Sequence, residues 1–147
     1  VHEPTNLNVG GGLDDVWYNT ETEQIHIVDY KSTSQKTEGK TISLDDPWKA
    51  AYKRQMDLYV WVMRQKGFDV SSTGYFLYCD GDRFSDYNFL KDDDASMRFS
   101  MSLIEYEVDM KWIEPTLENI KSCLINPTAP PHNPNCEYGV FISEVNK

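Results

Sequence analysis

The run Gln24-Ile25-His26-Ile27-Val28-Asp29-Tyr30-Lys31 constrains this chain more than any other. It reads as a β-strand bounded by polar turns. Side chains alternate along a strand, so Ile25, Ile27, Asp29 and Lys31 share one face. That face begins apolar and ends with an acid and a base. The backbones of Asp29 and Lys31 stand roughly 6.5–7 Å apart, so both side chains can converge on one site. Burying either charge requires a partner, a metal or water. Taken alone, a surface ion pair at an exposed strand end is the plainer reading.

The preceding segment changes the balance. Residues 8–18 hold a glycine run and then Leu13, Val16 and Trp17, and read as a strand. The stretch Thr20-Glu21-Thr22-Glu23-Gln24 is a hairpin connection to the next strand. Asp14 and Asp15 therefore lie on a strand beside Asp29. One carboxylate from each of two adjacent strands makes a hard, oxygen-rich site suited to Mg²⁺ or Mn²⁺. Such an ion polarises a phosphate and lowers the pKa of bound water, and a neighbouring lysine stabilises developing negative charge. Asp14 and Asp15 point to opposite faces, so one of them is the ligand. Periodicity does not say which.

Downstream, residues 32–46 are polar and basic and read as a long functional loop. Asp46 is suited to N-cap a helix that Pro47 opens. Trp48, Ala51, Tyr52, Gln55, Tyr59, Val62 and Met63 recur at helical spacing, and Gly67 stops the helix. Gln55 is a polar residue inside that apolar stripe and must find hydrogen-bond partners. Tying off backbone groups and facing a metal or phosphate are equally good accounts of it. Residues 72–79 and 84–90 read as strands joined by a turn at 80–83. Residues 98–108 read as a strand bulged where the alternation slips at Leu103 and Ile104. A helix is expected over 110–125, with Pro115 in its first turn, and the last twenty residues read as an extended Pro- and Asn-rich tail. This order predicts an α/β fold, a mixed sheet flanked by helices, in a single domain over residues 1–147.

Composition bears on function in two ways. The net charge is −10, which runs against phosphate binding. Residues 31–66 nevertheless hold eight basic side chains (Lys31, Lys36, Lys40, Lys49, Lys53, Arg54, Arg64, Lys66) against four acidic ones. That stretch is locally about +4, so a basic face within an acidic chain is expected. Cys79, Cys123 and Cys136 are odd in number and widely spaced, which fits a reducing cytoplasm rather than a disulfide framework. No apolar run has the length of a membrane span.

Three segments together carry a resemblance. Gly11-Gly12-Leu13-Asp14-Asp15-Val16-Trp17, then Ile25-His26-Ile27-Val28-Asp29-Tyr30-Lys31-Ser32-Thr33, then Gln55-Met56-Asp57-Leu58-Tyr59 resemble the motifs of the RecB-like branch of PD-(D/E)XK nucleases. That branch shows G-x-x-D, D-Y-K-[ST] and Q-x-x-x-Y in this order. The resemblance covers residues 11–59 and implies a restriction-endonuclease-like mixed β-sheet and metal-dependent hydrolysis of DNA. It implies that Asp14 and Asp29 bind the metal, with the backbone carbonyl of Tyr30 completing the shell. Lys31 matches the catalytic lysine. Gln55 and Tyr59 match the helix motif that lines the site. Neither exonuclease nor endonuclease action, nor single- or double-strand preference, follows.

Two departures stand out. Many relatives carry an upstream helix with a metal-binding histidine; only seven residues precede the glycine run here, and His2 is a poor substitute. Some relatives hold an iron–sulfur cluster through four cysteines; three cannot do so within one chain, so no cluster is expected. Other features are discounted. His26 faces away from Asp29, His132 lies in the polar tail, and Asp92, Asp93 and Asp94 read as a solvated turn. Asp80 and Asp82 beside Gly81 are turn chemistry. Most Tyr and Trp residues, at these spacings, belong to the core. Two further readings stay open: a nuclease fold kept as a DNA-binding or interaction module, and a fragment of a larger helicase–nuclease.

Overall fold

The computed structural model describes residues 1–34, 41–83, 90, 91 and 93–145. Its alternating segments form strands as the pattern requires. β1 (Asp15–Asn19) and β2 (Gln24–Thr33) make an antiparallel hairpin in which Asp15 pairs with Val28 and Asn19 with Gln24. β2 pairs in parallel with β3 (Thr73–Gly81), Lys31 standing opposite Tyr78. A parallel pair needs a crossover, and α1 (Ala50–Gln65) supplies it. β6 (Phe99–Glu107) closes the sheet antiparallel to β3, giving the order β1-β2-β3-β6. A small separate hairpin joins β4 (Leu90–Lys91) to β5 (Asp94–Ala95). This is the mixed, restriction-endonuclease-like sheet expected.

The core lies where α1 crosses the sheet. Met56 and Val60 from the helix meet Ile27 of β2 and Phe76 and Tyr78 of β3, all buried, with Leu44 and Val70 at the margins. Each such apolar side chain contributes roughly 1.5–3 kcal/mol when withdrawn from water. The start of α1 differs from expectation. Pro47–Lys49 forms a 3-10 turn, and the Asp46 side chain caps no backbone N–H. Its carboxylate instead pairs with Lys49 Nζ at 3.0 Å. The end of α1 follows expectation. Gly67 takes φ +87°, and the N–H groups of Gly67 and Phe68 donate to Arg64 and Met63 carbonyls at 2.9 and 3.2 Å. This is a Schellman stop, which a residue with a Cβ resists.

Two further expectations are corrected. β6 runs in unbroken register from Phe99 to Glu107, so there is no bulge. Leu103 and Ile104 are both apolar because the two faces of β6 are: Ile104 packs towards the core, whereas Met101 and Leu103 are exposed. Asp80 and Gly81 are not turn residues but extend β3, opposite Ser100 and Phe99. The strand expected at 84–90 lies outside the described residues except for Leu90.

Chain contacts divide the molecule into two units, Val9–Lys111 and the pair of segments Val1–Asn8 and Trp112–Lys147. The second contains α2 (Ile113–Ile125), with Pro115 in its first turn as expected, and buries Ile113 and Leu117. It also holds α3 (Glu137–Val145), where an extended tail was expected. The prolines of the tail all precede Cys136, and the residues after it contain no proline. Among the described residues no helix is long and apolar enough to cross a membrane.

Candidate functional site

β1 stops pairing at Asp15, opposite Val28, so β2 runs on past its neighbour. Asp14 sits at that step. Its Oδ2 accepts the backbone N–H of Tyr30 at 2.8 Å, tying the glycine loop to the strand residue after Asp29. Asp15 is engaged elsewhere. It accepts from the Tyr30 hydroxyl, from Val16 N at 2.7 Å and from Trp17 Nε1 at 3.0 Å. The Tyr30 hydroxyl, then the other two donors, hold the Asp15 carboxyl below its ordinary value, and the same bond raises the Tyr30 phenol. Geometry thus separates the two acids that periodicity left level.

Asp29 is 2% exposed, and burial pushes its carboxyl up. Lys31 opposes that rise; the nearby Asp14 charge adds to it. Lys31 Nζ forms an ion pair with Asp29 Oδ2, which is buried. The ammonium also donates to Gln55 Oε1 at 3.3 Å and lies 4.6 Å from the centre of the Tyr52 ring. Gln55 Nε2 donates to the Tyr59 hydroxyl at 2.7 Å. Tyr59 in turn packs on Gly11, where an added Cβ would lie 2.7 Å from Tyr59 Cε1. Asp14, Asp29, Tyr30, Lys31, Gln55 and Tyr59 are therefore brought together, with Gly11 beneath the last of them.

Sequence reasoning missed three neighbours. Tyr52 was taken as core, yet its ring face carries Lys31. Tyr78 is 2% exposed, and its hydroxyl has no hydrogen-bond partner among the described residues. Burial, with Tyr52, Asp29 and Asp46 adding to it, pushes that phenol up to about 12. Lys49 was counted in the basic track but is buried. It donates to Ser43 O and faces Asp46, with the Trp48 and Tyr78 rings 4.9 and 5.6 Å away. The acid–base spacing Asp46-x-x-Lys49 was the available signal for this pair. Arg64 is likewise engaged, donating to Val70 O and to Ser72. Lys36 and Lys40 lie outside the described residues, as does Asp92. Among the described residues, the exposed part of the basic stretch thus reduces to Arg54 and Lys66, with Lys53 half-buried.

The histidines behave as structural groups. His26 Nδ1 is 2.8 Å from Thr73 O and its ring lies tilted against Tyr75, with centroids 5.3 Å apart. His2 faces Thr5 and Glu114 at 2.8 and 2.7 Å.

Among the described residues, no three His, Cys, Asp or Glu side chains gather into a metal cluster. The site therefore offers two carboxylates, Asp14 and Asp29, close enough for the charge of one to raise the other. That repulsion between neighbouring carboxylates is what a divalent cation relieves. Two carboxylates suit Mg²⁺, which keeps several waters and takes its remaining ligands from substrate phosphate. They do not suit a closed tetrahedral zinc site.

A family model described as PD-(D/E)XK nuclease superfamily matches residues 3–138. No curated protein and no solved structure matches the chain.

Proposed function

The chain belongs to the PD-(D/E)XK nuclease superfamily, and from that premise we propose that it is a RecB-like, Mg²⁺- or Mn²⁺-dependent deoxyribonuclease. The family match draws on both compact units, so we treat residues 1–147 as one nuclease domain. The observation that carries the reading is the polar chain from Tyr59, packed on Gly11, through Gln55 to Lys31 and Asp29, with Asp14 beside it.

In this reading Asp14, Asp29 and the Tyr30 carbonyl hold the cation. When bound, the ion supplies Lewis-acid polarisation of the scissile phosphate. Lys31 meets the negative charge that builds on the phosphate oxygens. Its ammonium is held in place beforehand by the Asp29 carboxylate, the Gln55 amide and the Tyr52 ring, which is the arrangement electrostatic catalysis requires. Gln55 orients Lys31, and Tyr59 orients Gln55. We also propose that the protein works in the cytoplasm, in keeping with its three free thiols, and carries no iron–sulfur cluster. A visible absorption band in the purified protein would contradict the last point.

The test is cleavage of labelled DNA with Mg²⁺ or Mn²⁺ by wild type, Lys31→Ala and Asp29→Ala. Each variant should lose at least about 10²-fold in rate, the usual effect of removing one preorganised stabilising group. Equal activity in all three would end the assignment. A second reading is a nuclease fold kept for DNA or protein binding; the net charge of −10 and the inward engagement of Lys49 and Arg64 weigh towards a protein partner within it. It predicts binding without metal-dependent cleavage.

A further inference from the structure

Tyr52, Gln55 and Tyr59 follow one another at intervals of three and four residues along one side of α1, and Trp48 stands in the 3-10 turn just before it, against Tyr52. The three on α1 turn towards Lys31 or hold what does. Trp48 does not bury itself with them. It is 59% exposed, against the expectation that it belongs to the core.

This exposed indole is held in a defined posture. It meets the Tyr52 ring edge-on, with centroids 5.6 Å apart and planes at 84°. Lys49 Nζ lies over it at 4.9 Å, and that lysine is itself buried and anchored by Asp46 and Ser43. Tyr52 is also the ring that carries Lys31, at 4.6 Å. The Trp48 ring centre is therefore no more than about 10 Å from the Lys31 ammonium. A large aromatic surface, fixed by its neighbours and open to solvent, thus stands beside the site proposed to engage a phosphate. Pre-fixed aromatic rings next to a backbone-binding site are stacking platforms for unpaired bases, and such stacking tolerates any base.

We propose that Trp48 stacks an unpaired nucleobase of the DNA strand, one or two nucleotides from the phosphate engaged at Lys31. The inference rests on the nuclease reading above and deepens it by naming the substrate class: a single strand or a frayed end rather than the interior of a duplex. Bases within a duplex already stack on each other and present no free face to the indole.

The experiment measures binding, so that cleavage does not enter. A fluorescein-labelled single-stranded oligonucleotide and a blunt duplex are titrated with the full chain in calcium buffer, by anisotropy. Trp48→Ala should weaken single-strand binding by roughly 5- to 150-fold, the span for one stacked base. Duplex binding should stay within about twofold. Trp48→Phe should keep most of the single-strand affinity, and circular dichroism should show both variants folded. An abasic nucleotide at one position should reproduce the loss in wild type and add nothing in Trp48→Ala. The inference is overturned if wild type does not bind the single strand or Trp48→Ala costs nothing. Equal losses on both substrates, or an abasic loss that persists in Trp48→Ala, would overturn it too. A wild type that binds in this Trp48-dependent way but cuts with neither Mg²⁺ nor Mn²⁺ would sink the nuclease reading and leave this one standing.

Discussion

Replacing Gly11 by alanine tests whether the site is one mechanical unit. Gly11 is far from the acids in role but touches Tyr59. An alanine Cβ would begin 2.7 Å from Tyr59 Cε1, whereas ordinary contact starts at 3.4 Å, so the ring must retreat by about 0.7 Å. The Tyr59 hydroxyl accepts from Gln55 at 2.7 Å, and Gln55 accepts from Lys31 at 3.3 Å. A shift of that size breaks or lengthens the first bond and leaves Gln55 free to swing. Two losses should follow. Overpacking of this kind destabilises by about 1–3 kcal/mol, or roughly 3–9 °C in Tm for a chain of this length. Misplacement by about an ångström near reacting groups costs about 10²-fold in rate. The assay is a double-mutant cycle with Tyr59→Ala, reading both Tm and cleavage rate. In the Tyr59→Ala background, Gly11→Ala should have little further effect, because the ring it would strike is gone. Additive effects in the cycle, or an unimpaired Gly11→Ala enzyme, would refute the argument that the glycine loop acts through Tyr59.

Three more outcomes are expected. Mn²⁺ should raise Tm in wild type and not in Asp14→Asn or Asp29→Asn, since a ligand that binds only the folded state stabilises it; a thermal titration decides this. The Asp15 carboxyl lies below its ordinary value of 3.8 in the folded state, chiefly through the Tyr30 hydroxyl, so its contribution is fully present above 3.8 and is lost as pH falls through the folded value. Urea unfolding as a function of pH should accordingly fall less steeply in this acid range for Asp15→Asn than for wild type, and parallel curves would count against the Tyr30 bond. Tyr78→Phe removes a buried hydroxyl that has no partner among the described residues and should change stability by less than about 1 kcal/mol, whereas Lys49→Met strands the Ser43 carbonyl and should cost about 1–3 kcal/mol by chemical denaturation.

How much of this was legible in the sequence depended on the range of the interaction. β2 was legible because alternation is local, and so was the stop at Gly67. The pairing of Gln55 with Lys31 was legible only as a need, since a glutamine in an apolar stripe must bond to something. Only the resemblance singled out Asp14 over Asp15; the different bonding of the two acids follows from where β1 stops against β2, and strand register is a long-range quantity. The same holds for Tyr52 and Lys49, whose ring and ammonium contacts follow from how the start of α1 crosses the sheet. The expected bulge at Leu103–Ile104 failed because an apolar residue was assumed to face the core. The expected tail failed because composition was averaged over twenty residues whose prolines all lie at one end.

The parallel pairing of β2 with β3 has a consequence for how the chain folds. A parallel partner cannot be reached by a tight turn, so β2 waits for the whole of α1 and for β3 beyond it. The polar network, by contrast, lies wholly within residues 11–59. During vectorial synthesis the residues that make up the site emerge first, while the strand that supports β2 comes later still, and β6 last. Until β3 docks, β2 presents an open, β-branched edge ending in two charges. Asp29 and Lys31 then keep that edge from pairing with the wrong strand, as inward-pointing charges do on exposed sheet edges. The two charges of the candidate site would in this way also guard the nascent chain against aggregation.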